Sequence, residues 1–325
     1  MLIPDYWAEA SLKHKVAGKQ ITVRRFGWSE QSQEDAQRNA DARAEDAFAR
    51  IVAGEKLARR ELKMAYNGAV GVPIREEVLS RHEGAVITRN LYGARCLNTP
   101  NVLFADIDFV AQQMPASFKW GILMLIIIAF STVRSLAGWW LGLAAAFAAW
   151  YAGYKIAAWL WAQKLKASAS PEEQAMNRVD AFMAKHPDWH LRIYRTPAGL
   201  RLLAMHKTFG PEDPEVATIF REIEADRIYV QMCTNQHCFR ARVGPKPWRI
   251  GIESHLKPRP GVWPINPERL PDRVRWVEEY ERKAEAYASC RFIAAKGNAA
   301  VDPAVEKVRV LHDELCRAHS DLPIA

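Results

Sequence analysis

Two consecutive apolar runs near the middle of the chain constrain its fold more than any other feature. The first run is uncharged from Trp120 until Arg134, and the second is uncharged from Ala137 to Tyr154. A helix needs roughly 20 apolar residues to cross about 30 Å of hydrocarbon. The second run meets this length, and the first meets it when it is counted over residues 118–136 with the Arg134 side chain reaching the far interface. The sequence therefore predicts a two-helix transmembrane hairpin over residues 118–166.

The residues that flank the two runs predict an orientation. Aromatic side chains lie near both expected interfaces, as in known membrane spans; they are Trp139 and Trp140 on one side and Trp150, Tyr151, Tyr154, Trp159 and Trp161 on the other. The outer flanks carry Lys119, Lys155, Lys164 and Lys166, whereas the turn offers only Arg134. The positive-inside rule then places the turn outside and both flanks, with both termini, in the cytoplasm. A buried hairpin in a soluble core and a shallow re-entrant loop are the alternatives.

Charge and cysteine content narrow the class of protein further. The net charge of +8 favours anionic partners such as nucleotides, nucleic acid or acidic lipid headgroups, without choosing among them. The five cysteines are an odd, widely spaced set, which fits a reducing cytoplasm better than a disulfide framework. The first residues lack a basic start and an apolar run, so we expect no cleaved signal peptide.

The rest of the chain alternates between strand-like and helix-like segments. We expect an N-terminal hairpin and a long helix from Gln33 to about Met64 within residues 1–82, and further helices within 266–325. Residues 83–117 and 167–265 would form the two parts of one α+β core, a mixed sheet with flanking helices that the hairpin at 118–166 interrupts. Within this scheme we predict a strand at Ile228–Met232 and a helix at Pro271–Ala294.

The sharpest chemical feature is the run Val102-Leu-Phe-Ala-Asp106-Ile-Asp108-Phe. Side chains two residues apart on a strand point to the same face, so Asp106 and Asp108 would project together from an apolar strand. Two adjacent carboxylates repel each other unless a cation lies between them. Such a pair commonly holds Mg²⁺ or Mn²⁺ together with phosphate oxygens. The alternative is a strand end where both aspartates meet water or cap a turn.

This apolar strand ending in Asp-x-Asp resembles the first motif of the archaeo-eukaryotic primase-polymerase superfamily. The second motif of that family has a histidine on a strand after a Gly-containing turn. Here Thr196-Pro-Ala-Gly-Leu-Arg is similar, but Arg201 stands at the histidine position, and His206 is a poorly placed substitute. For the third, acidic motif, Asp226 after Ala225 is the best match. The resemblance implies a catalytic trio of Asp106, Asp108 and Asp226, a divalent metal on the first two, and nucleotidyl transfer.

A second resemblance concerns the whole chain. With the stretches Arg25-Phe-Gly-Trp-Ser and Thr88-Arg-Asn, it is similar to a bacterial family of uncharacterised membrane proteins. That family implies the bacterial inner membrane as the location and implies no activity.

A basic segment follows the second part of the predicted core. Arg240 and Arg242 would alternate on one strand face, and Lys246 and Arg249 follow in a Pro-x-Pro turn. Arginines on rigid backbone suit phosphate recognition, so with Arg201 these residues are the predicted phosphate contacts. The alternative is a basic surface that rests on anionic lipid.

The cysteines and histidines offer a weaker signal for zinc. Cys233, His237 and Cys238 could supply two or three ligands, with His255 or Cys290 completing a tetrahedron. Structural zinc sites usually show two paired ligand knuckles, and only one irregular knuckle is present here, so zinc is not expected. His312 and Asp313 lie on a predicted helix with Cys316, and because adjacent helical residues diverge, we expect no dyad from them.

Two functions of different classes remain open at this stage. The first is a membrane-anchored cytoplasmic domain, similar to a primase-polymerase core, that binds nucleotide or nucleic-acid phosphate through a divalent metal. If it is an enzyme, its reaction is nucleotidyl transfer. The second is a membrane scaffold without chemistry, whose basic surface touches lipid or a protein partner.

Overall fold

The sheets of this protein combine strands from both sides of a long helical insertion. The computed structural model describes residues 1–16, 19–61, 72–110, 113–259 and 263–325. The chain divides into one unit of Met1–Asp108 with Asp180–Ala325, and a second unit of Phe109–Val179. The α+β class is confirmed.

The described elements follow one another along the chain with helices placed between groups of strands. The strands are β1 (Tyr6–Val16), β2 (Lys19–Ser29), β3 (Glu77–His82), β4 (Ala85–Arg89), β5 (Arg95–Thr99), β6 (Phe104–Asp108), β7 (His190–Thr196), β8 (Gly199–Ala204), β9 (Phe239–Arg242) and β10 (Arg291–Gly297). The helices are α1 (Gln33–Val52), α2 (Ala116–Ala137), α3 (Trp139–Ala167), α4 (Pro171–Lys185), α5 (Pro214–Glu222), α6 (Arg227–Gln236), α7 (Leu270–Ala284) and α8 (Pro303–Cys316).

The strands of the first unit form three separate sheets, which corrects the expectation of one mixed sheet. Strands β1 and β2 form a ribbon, and the two four-stranded sheets have the orders β3-β4-β5-β9 and β10-β7-β8-β6. Every ladder between these strands is antiparallel. In each four-stranded sheet, strands that precede the insertion pair with strands that follow it.

The N-terminal ribbon packs against α1 through very small side chains. Ala36, Ala40 and Ala44 are fully buried at helical spacing, and a Cβ at Gly27 would collide with the backbone of Ala36 and Ala40. Only glycine fits β2 at this point, because the helix and the strand touch backbone to backbone. The prediction that α1 reaches Met64 is wrong: the helix ends at Val52, and part of the predicted extension lies outside the described residues.

Two further segments adopt a different structure from the one predicted. Residues Ile228–Met232 belong to α6 rather than to a strand, because the side chains buried there recur at helical spacing: Tyr229, Met232, Cys233 and Gln236. The predicted helix at Pro271–Ala294 ends with α7 at Ala284, and its last residues enter β10.

Strands β6 and β8 lie in the hydrophobic core of the first unit, which accounts for the apolar residues in both strands. All six residues of β8 are buried, as are Phe104, Ala105 and Ile107 of β6. Since β8 lies between β7 and β6 in its sheet, it contributes apolar side chains to both faces. Full burial of each large aliphatic side chain stabilises the fold by roughly 1.5–3 kcal/mol.

The second unit contains an antiparallel helical pair. Phe118 contacts Trp161 with a ring-centroid distance of 6.2 Å, and Phe130 contacts Trp139 at 5.5 Å. The helices meet at Gly138, whose φ of 87° favours glycine at the turn. Among the described residues, α2 alone is long and apolar enough to cross a membrane by length and composition. The second helix, α3, is longer but contains more alanine, tryptophan and tyrosine.

Candidate functional site

Three aspartates come together at the end of β6. Asp106 and Asp108 are alternate residues of this strand and share one of its faces. Asp226 arrives from a distant part of the sequence, between α5 and α6, and its backbone N–H donates to the carbonyl of Asp106 at 2.9 Å. The fold therefore brings together the three carboxylates that the sequence analysis grouped.

The Asp106 carboxylate has a fixed partner within the protein. Asp106 lies directly opposite Arg201 in the β6–β8 ladder, and Arg201 donates from Nε to Oδ1 at 2.8 Å and from NH2 to Oδ2 at 3.1 Å. The remaining guanidinium nitrogen, NH1, donates to the carbonyl of Arg242 at 2.9 Å, which joins the two four-stranded sheets. Burial acts to lower the pKa of Arg201, but the Asp106 charge and hydrogen bonds raise it above the ordinary value.

Arg201 is therefore not available to a ligand, which corrects the prediction that it contacts phosphate. The residue is 2% exposed, and all three nitrogens of its guanidinium group already donate hydrogen bonds within the protein. Its role is to hold Asp106 and to connect the sheets. His206, the weaker alternative for the histidine position, packs against Trp189 with a ring-centroid distance of 4.4 Å.

Asp226 begins helix α6. Its Oδ1 accepts a hydrogen bond from the backbone N–H of Ile228 at 3.1 Å, and its Oδ2 accepts one from the backbone N–H of Tyr229 at 3.2 Å. These bonds satisfy donors at the helix start that have no partner within the helix. Each carboxylate oxygen retains a further lone pair, so the cap is compatible with a second role as a cation ligand.

Asp108 differs from its two neighbours because it is the most exposed of the three. The residue lies opposite Gly199 at the end of the ladder, and among the described residues no hydrogen bond holds its carboxylate. Partial removal of water raises the pKa of Asp108, and the charges of Asp226 and Asp106 raise it further. A carboxylate surrounded in this way gains from a cation.

Three cationic side chains converge on the same place from β9 and the loop after it. Burial lowers the pKa of Lys246, and the neighbouring Arg242 and Arg249 lower it further, while Asp108 acts in the opposite direction. The pKa of Arg249 is lowered by burial and by Arg242. Because each cation destabilises the charge of the others, this group favours an anionic ligand.

Some guanidinium N–H groups in this group have no acceptor. Arg242 Nε and Arg249 NH1 are buried atoms without a hydrogen-bond partner among the described residues. Leaving a buried donor unsatisfied costs roughly 1–3 kcal/mol of folding free energy, and a charged donor costs more than a neutral one. The backbone here is rigid, because Pro247–Arg249 forms a 3-10 turn and Tyr280 donates to the carbonyl of Pro245 at 2.9 Å. Donors held at fixed positions without an acceptor are suited to a ligand with several oxygens.

Arg240, in contrast, already has a partner within the protein, and the prediction that it contacts phosphate is wrong. The side chain is buried and pairs with Glu76. Glu76 also accepts from Thr88 Oγ1 at 2.7 Å. Arg240 and Arg242 lie on the same strand, but it is the charge of Arg242 that acts on Asp108, whereas Arg240 pairs with Glu76.

The cysteines that were considered for zinc do not converge on one point. Cys233 and Cys238 are buried, whereas His237 is exposed and pairs with Glu212. Cys290 instead lies with His312 and Cys316. The expectation that His312 and Asp313 diverge is wrong, because His312 Nδ1 and Asp313 Oδ1 are 3.1 Å apart.

The comparisons with known proteins add no assignment. No protein-family model, curated protein or solved structure matches the chain. The site is therefore interpreted from its own geometry.

Proposed function

We propose that this protein is a membrane-anchored domain that binds a phosphate-bearing ligand, a nucleotide or a nucleic-acid phosphate, with a divalent cation held at Asp108. The observation that carries this proposal is that the charges of Arg242, Lys246 and Arg249 all act on the carboxylate of Asp108. Such a site presents cations for phosphate oxygens and a carboxylate for a metal ion at the same place.

The phosphate half of the proposal rests on the unsatisfied guanidinium donors. A phosphate group offers several charged oxygens, and charge-assisted hydrogen bonds to arginine are about twice as strong as neutral ones. Binding would give Arg242 Nε and Arg249 NH1 the acceptors that they lack. It would also relieve the repulsion that lowers the pKa of Lys246.

The metal half of the proposal rests on the carboxylates. Mg²⁺ and Mn²⁺ are commonly bound by one or two carboxylates together with substrate phosphates. Asp108 is accessible, and Asp226 acts on it electrostatically. These oxygen donors fit a hard divalent cation, which would neutralise Asp108 and bridge it to the phosphate.

The pairing of Asp106 with Arg201 favours ligand binding over catalysis. In nucleotidyl transfer two metal ions usually need several free carboxylates. Asp106 is already neutralised by Arg201, and this arginine occupies the position at which the primase-polymerase family has histidine. We therefore propose binding as the retained function, and nucleotidyl transfer only as a secondary activity to be assayed.

Anchoring by the helical pair α2–α3 completes the proposal. No residue of α2 is buried, and only Gly142 and Ala157 of α3 are buried. Large apolar side chains cover the outside of both helices, for example Ile128 at 60% and Trp140 at 85% exposure. Contiguous apolar surface of this kind is typical of protein in contact with lipid. We propose that both helices are embedded as a hairpin in the bacterial inner membrane, with both flanks in the cytoplasm.

The test is calorimetric titration of the detergent-purified full chain with Mn²⁺ and ATP. Wild-type protein is expected to bind ATP in a Mn²⁺-dependent manner, and Asp108→Asn and Lys246→Gln are each expected to weaken binding at least about tenfold, equal to 1.4 kcal/mol. Asp321→Asn and Lys56→Gln remove the same charges at exposed positions and are expected to bind as the wild type does.

Two results would contradict the proposal. One is the absence of Mn²⁺-dependent binding for ATP, GTP and short oligonucleotides by folded wild-type protein. The other is equal loss in the site variants and the control variants. Binding to vesicles of anionic lipid without nucleotide binding would instead favour the scaffold, whose basic surface contacts headgroups.

A further inference from the structure

A buried group of two cysteines and one histidine lies apart from the aspartate site in the chain. Cys290 precedes β10, and His312 and Cys316 are four residues apart on α8. Residues at this spacing occupy the same helix face. All three are buried, and one ligand atom from each lies within 4.8 Å of the others. We propose that these three residues bind a zinc ion that fastens α8 to the start of β10.

The spacing of the donor atoms fits this metal. Zinc binds cysteine sulfur at about 2.3 Å and histidine nitrogen at about 2.0–2.1 Å in tetrahedral geometry. Those lengths imply about 3.6 Å between a sulfur and a nitrogen ligand and about 3.8 Å between two sulfurs. Cys290 Sγ and His312 Nε2 are 3.9 Å apart. This pair therefore needs to move by only a few tenths of an ångström. The distances to the third ligand, Cys316, are within 4.8 Å and need to shorten by at most about 1 Å.

The surroundings of His312 hold its ring in the orientation that a metal ligand needs. Its Nδ1–H donates to Asp313 Oδ1, which leaves Nε2 directed toward Cys290. Asp313 is fixed in turn by Arg192 at 3.0 Å and by Arg309 at 2.9 Å. A carboxylate that orients a histidine from its far nitrogen is the usual outer partner in zinc sites.

The position of the group in the core fits a structural rather than a catalytic ion. The ring of His312 packs against Phe104 at 5.1 Å and against Tyr194 at 4.8 Å, so aromatic side chains of β6 and β7 cover it. Within the part of the chain that the structure describes, three side chains make up the group, so the fourth position is left to a water molecule. Two thiolates balance the charge of Zn²⁺, so the bound site is neutral.

The ligands of this site are not those proposed at Asp108, and zinc is measured without any nucleotide, so failure of the zinc proposal would leave the proposal for Asp108 intact. It also differs from the set Cys233, His237 and Cys238, for which Cys290 was considered only as a fourth ligand. Cys238 is therefore a matched control: a buried cysteine outside the group.

The experiment measures metal on full-length, detergent-purified, reduced protein. We expect one zinc per chain, and after replacement by Co²⁺ we expect the strong thiolate-to-cobalt absorption and visible bands of a tetrahedral site with two sulfurs. Cys316→Ser is expected to lower Co²⁺ affinity more than 100-fold, while Cys238→Ser retains wild-type binding. Asp313→Asn is expected to lower affinity by roughly 10–100-fold, as for outer partners of other metal sites.

Three results would overturn the proposal: no Zn²⁺ or Co²⁺ bound by folded reduced protein, a cobalt spectrum without thiolate bands, or equal loss of metal in Cys238→Ser and Cys316→Ser. If Cys316→Ser does not fold, the wild-type cobalt spectrum decides, because its thiolate absorption reports the number of sulfur ligands.

Discussion

Asp106 and Arg201 face each other across the β6–β8 ladder and form a two-point ion pair, with Nε–Oδ1 and NH2–Oδ2 distances of 2.8 and 3.1 Å. This pair separates the roles of two aspartates that are alike in sequence. Asp106 compensates a buried guanidinium, whereas Asp108, two residues later, is the aspartate that we propose binds a cation.

The first prediction follows from that separation. Asp106→Ala leaves the charge of Arg201 buried without a partner, which costs about 3–5 kcal/mol for fully buried pairs. The Asp106 side chain is 29% exposed, so we expect a loss of about 3 kcal/mol in the free energy of unfolding. Asp108→Ala is expected to cost much less. Chemical denaturation of the purified variants measures both.

The double variant Asp106→Leu/Arg201→Met provides the control for this first prediction. Replacing both members of a buried ion pair by apolar residues is often neutral or stabilising. We expect it to recover most of the stability that Asp106→Ala loses. Equal losses for Asp106→Ala and Asp108→Ala would contradict the division of roles.

The second prediction concerns the pH dependence of stability at Asp108. Its pKa in the folded protein is raised by loss of water and by Asp226 and Asp106, so the unfolded chain releases this proton at lower pH than the folded protein does. As pH rises from the ordinary aspartate pKa of about 3.9 through the raised value, the folded state binds more protons than the unfolded state, and stability falls.

Asp108→Asn removes the loss of stability that accompanies ionisation of this carboxyl group. Above the raised pKa the variant is expected to melt at a higher temperature than the wild type, and the difference is expected to vanish below about pH 4. Thermal unfolding of both proteins at a series of pH values, without divalent cations, measures this difference in melting temperature. A variant that is less stable than the wild type at neutral pH would show that Asp108 already has a favourable partner.

The third prediction concerns the buried pair of Glu76 and Arg240. Both side chains are at most 9% exposed, and Glu76 also accepts from Thr88. Glu76→Gln removes the charge that compensates Arg240, and we expect it to cost roughly 3–5 kcal/mol in the free energy of unfolding.

The matched control for Glu76 is Glu83→Gln. Glu83 pairs with Lys307, and the two side chains are 80% and 55% exposed. An exposed pair contributes about 0–1 kcal/mol. Similar losses in the two variants, measured by chemical denaturation, would mean that Arg240 finds another partner when Glu76 is neutral.

How far the sequence predicts this structure depends on the range of the interactions involved. Strands β6 and β8 were predictable because their residues are mostly apolar, as buried strands require, with only Asp106, Asp108 and Arg201 as exceptions. The segment Ile228–Met232 is short and apolar, and strand and helix cannot be separated at that length by periodicity. The aspartate that caps it, Asp226, was the signal for a helix.

The candidate site was predictable in its carboxylates and less so in its cations. Asp106 and Asp108 are close in sequence, and a strand fixes their relation. Whether Arg201 faces solvent or Asp106 depends on the register of two strands that are 95 residues apart, which no local pattern specifies. The same limit applies to Cys290 and His312, although the four-residue spacing of His312 and Cys316 on a helix was a detectable sign.

The last prediction tests the anchor. The antiparallel pair α2–α3 brings its own ends together, since Phe118 and Trp161 are in contact at 6.2 Å. A Gly/Ser linker of about 10 residues, with a mean span of roughly 16–19 Å, can therefore replace Ala116–Ala167. Wild-type protein is expected to resist extraction of membranes by carbonate, whereas the linker variant is expected to be soluble and to keep Mn²⁺-dependent ATP binding.

Each alternative for the hairpin gives a different result in this experiment. A hairpin that belonged to a soluble core would destabilise the variant when removed, and carbonate would extract the wild-type protein. A surface that binds lipid through the basic segment alone would leave the linker variant on anionic vesicles until salt releases it. Only an embedded pair gives carbonate-resistant wild type together with a soluble, folded variant, because then apolar contact with lipid and not charge holds the chain.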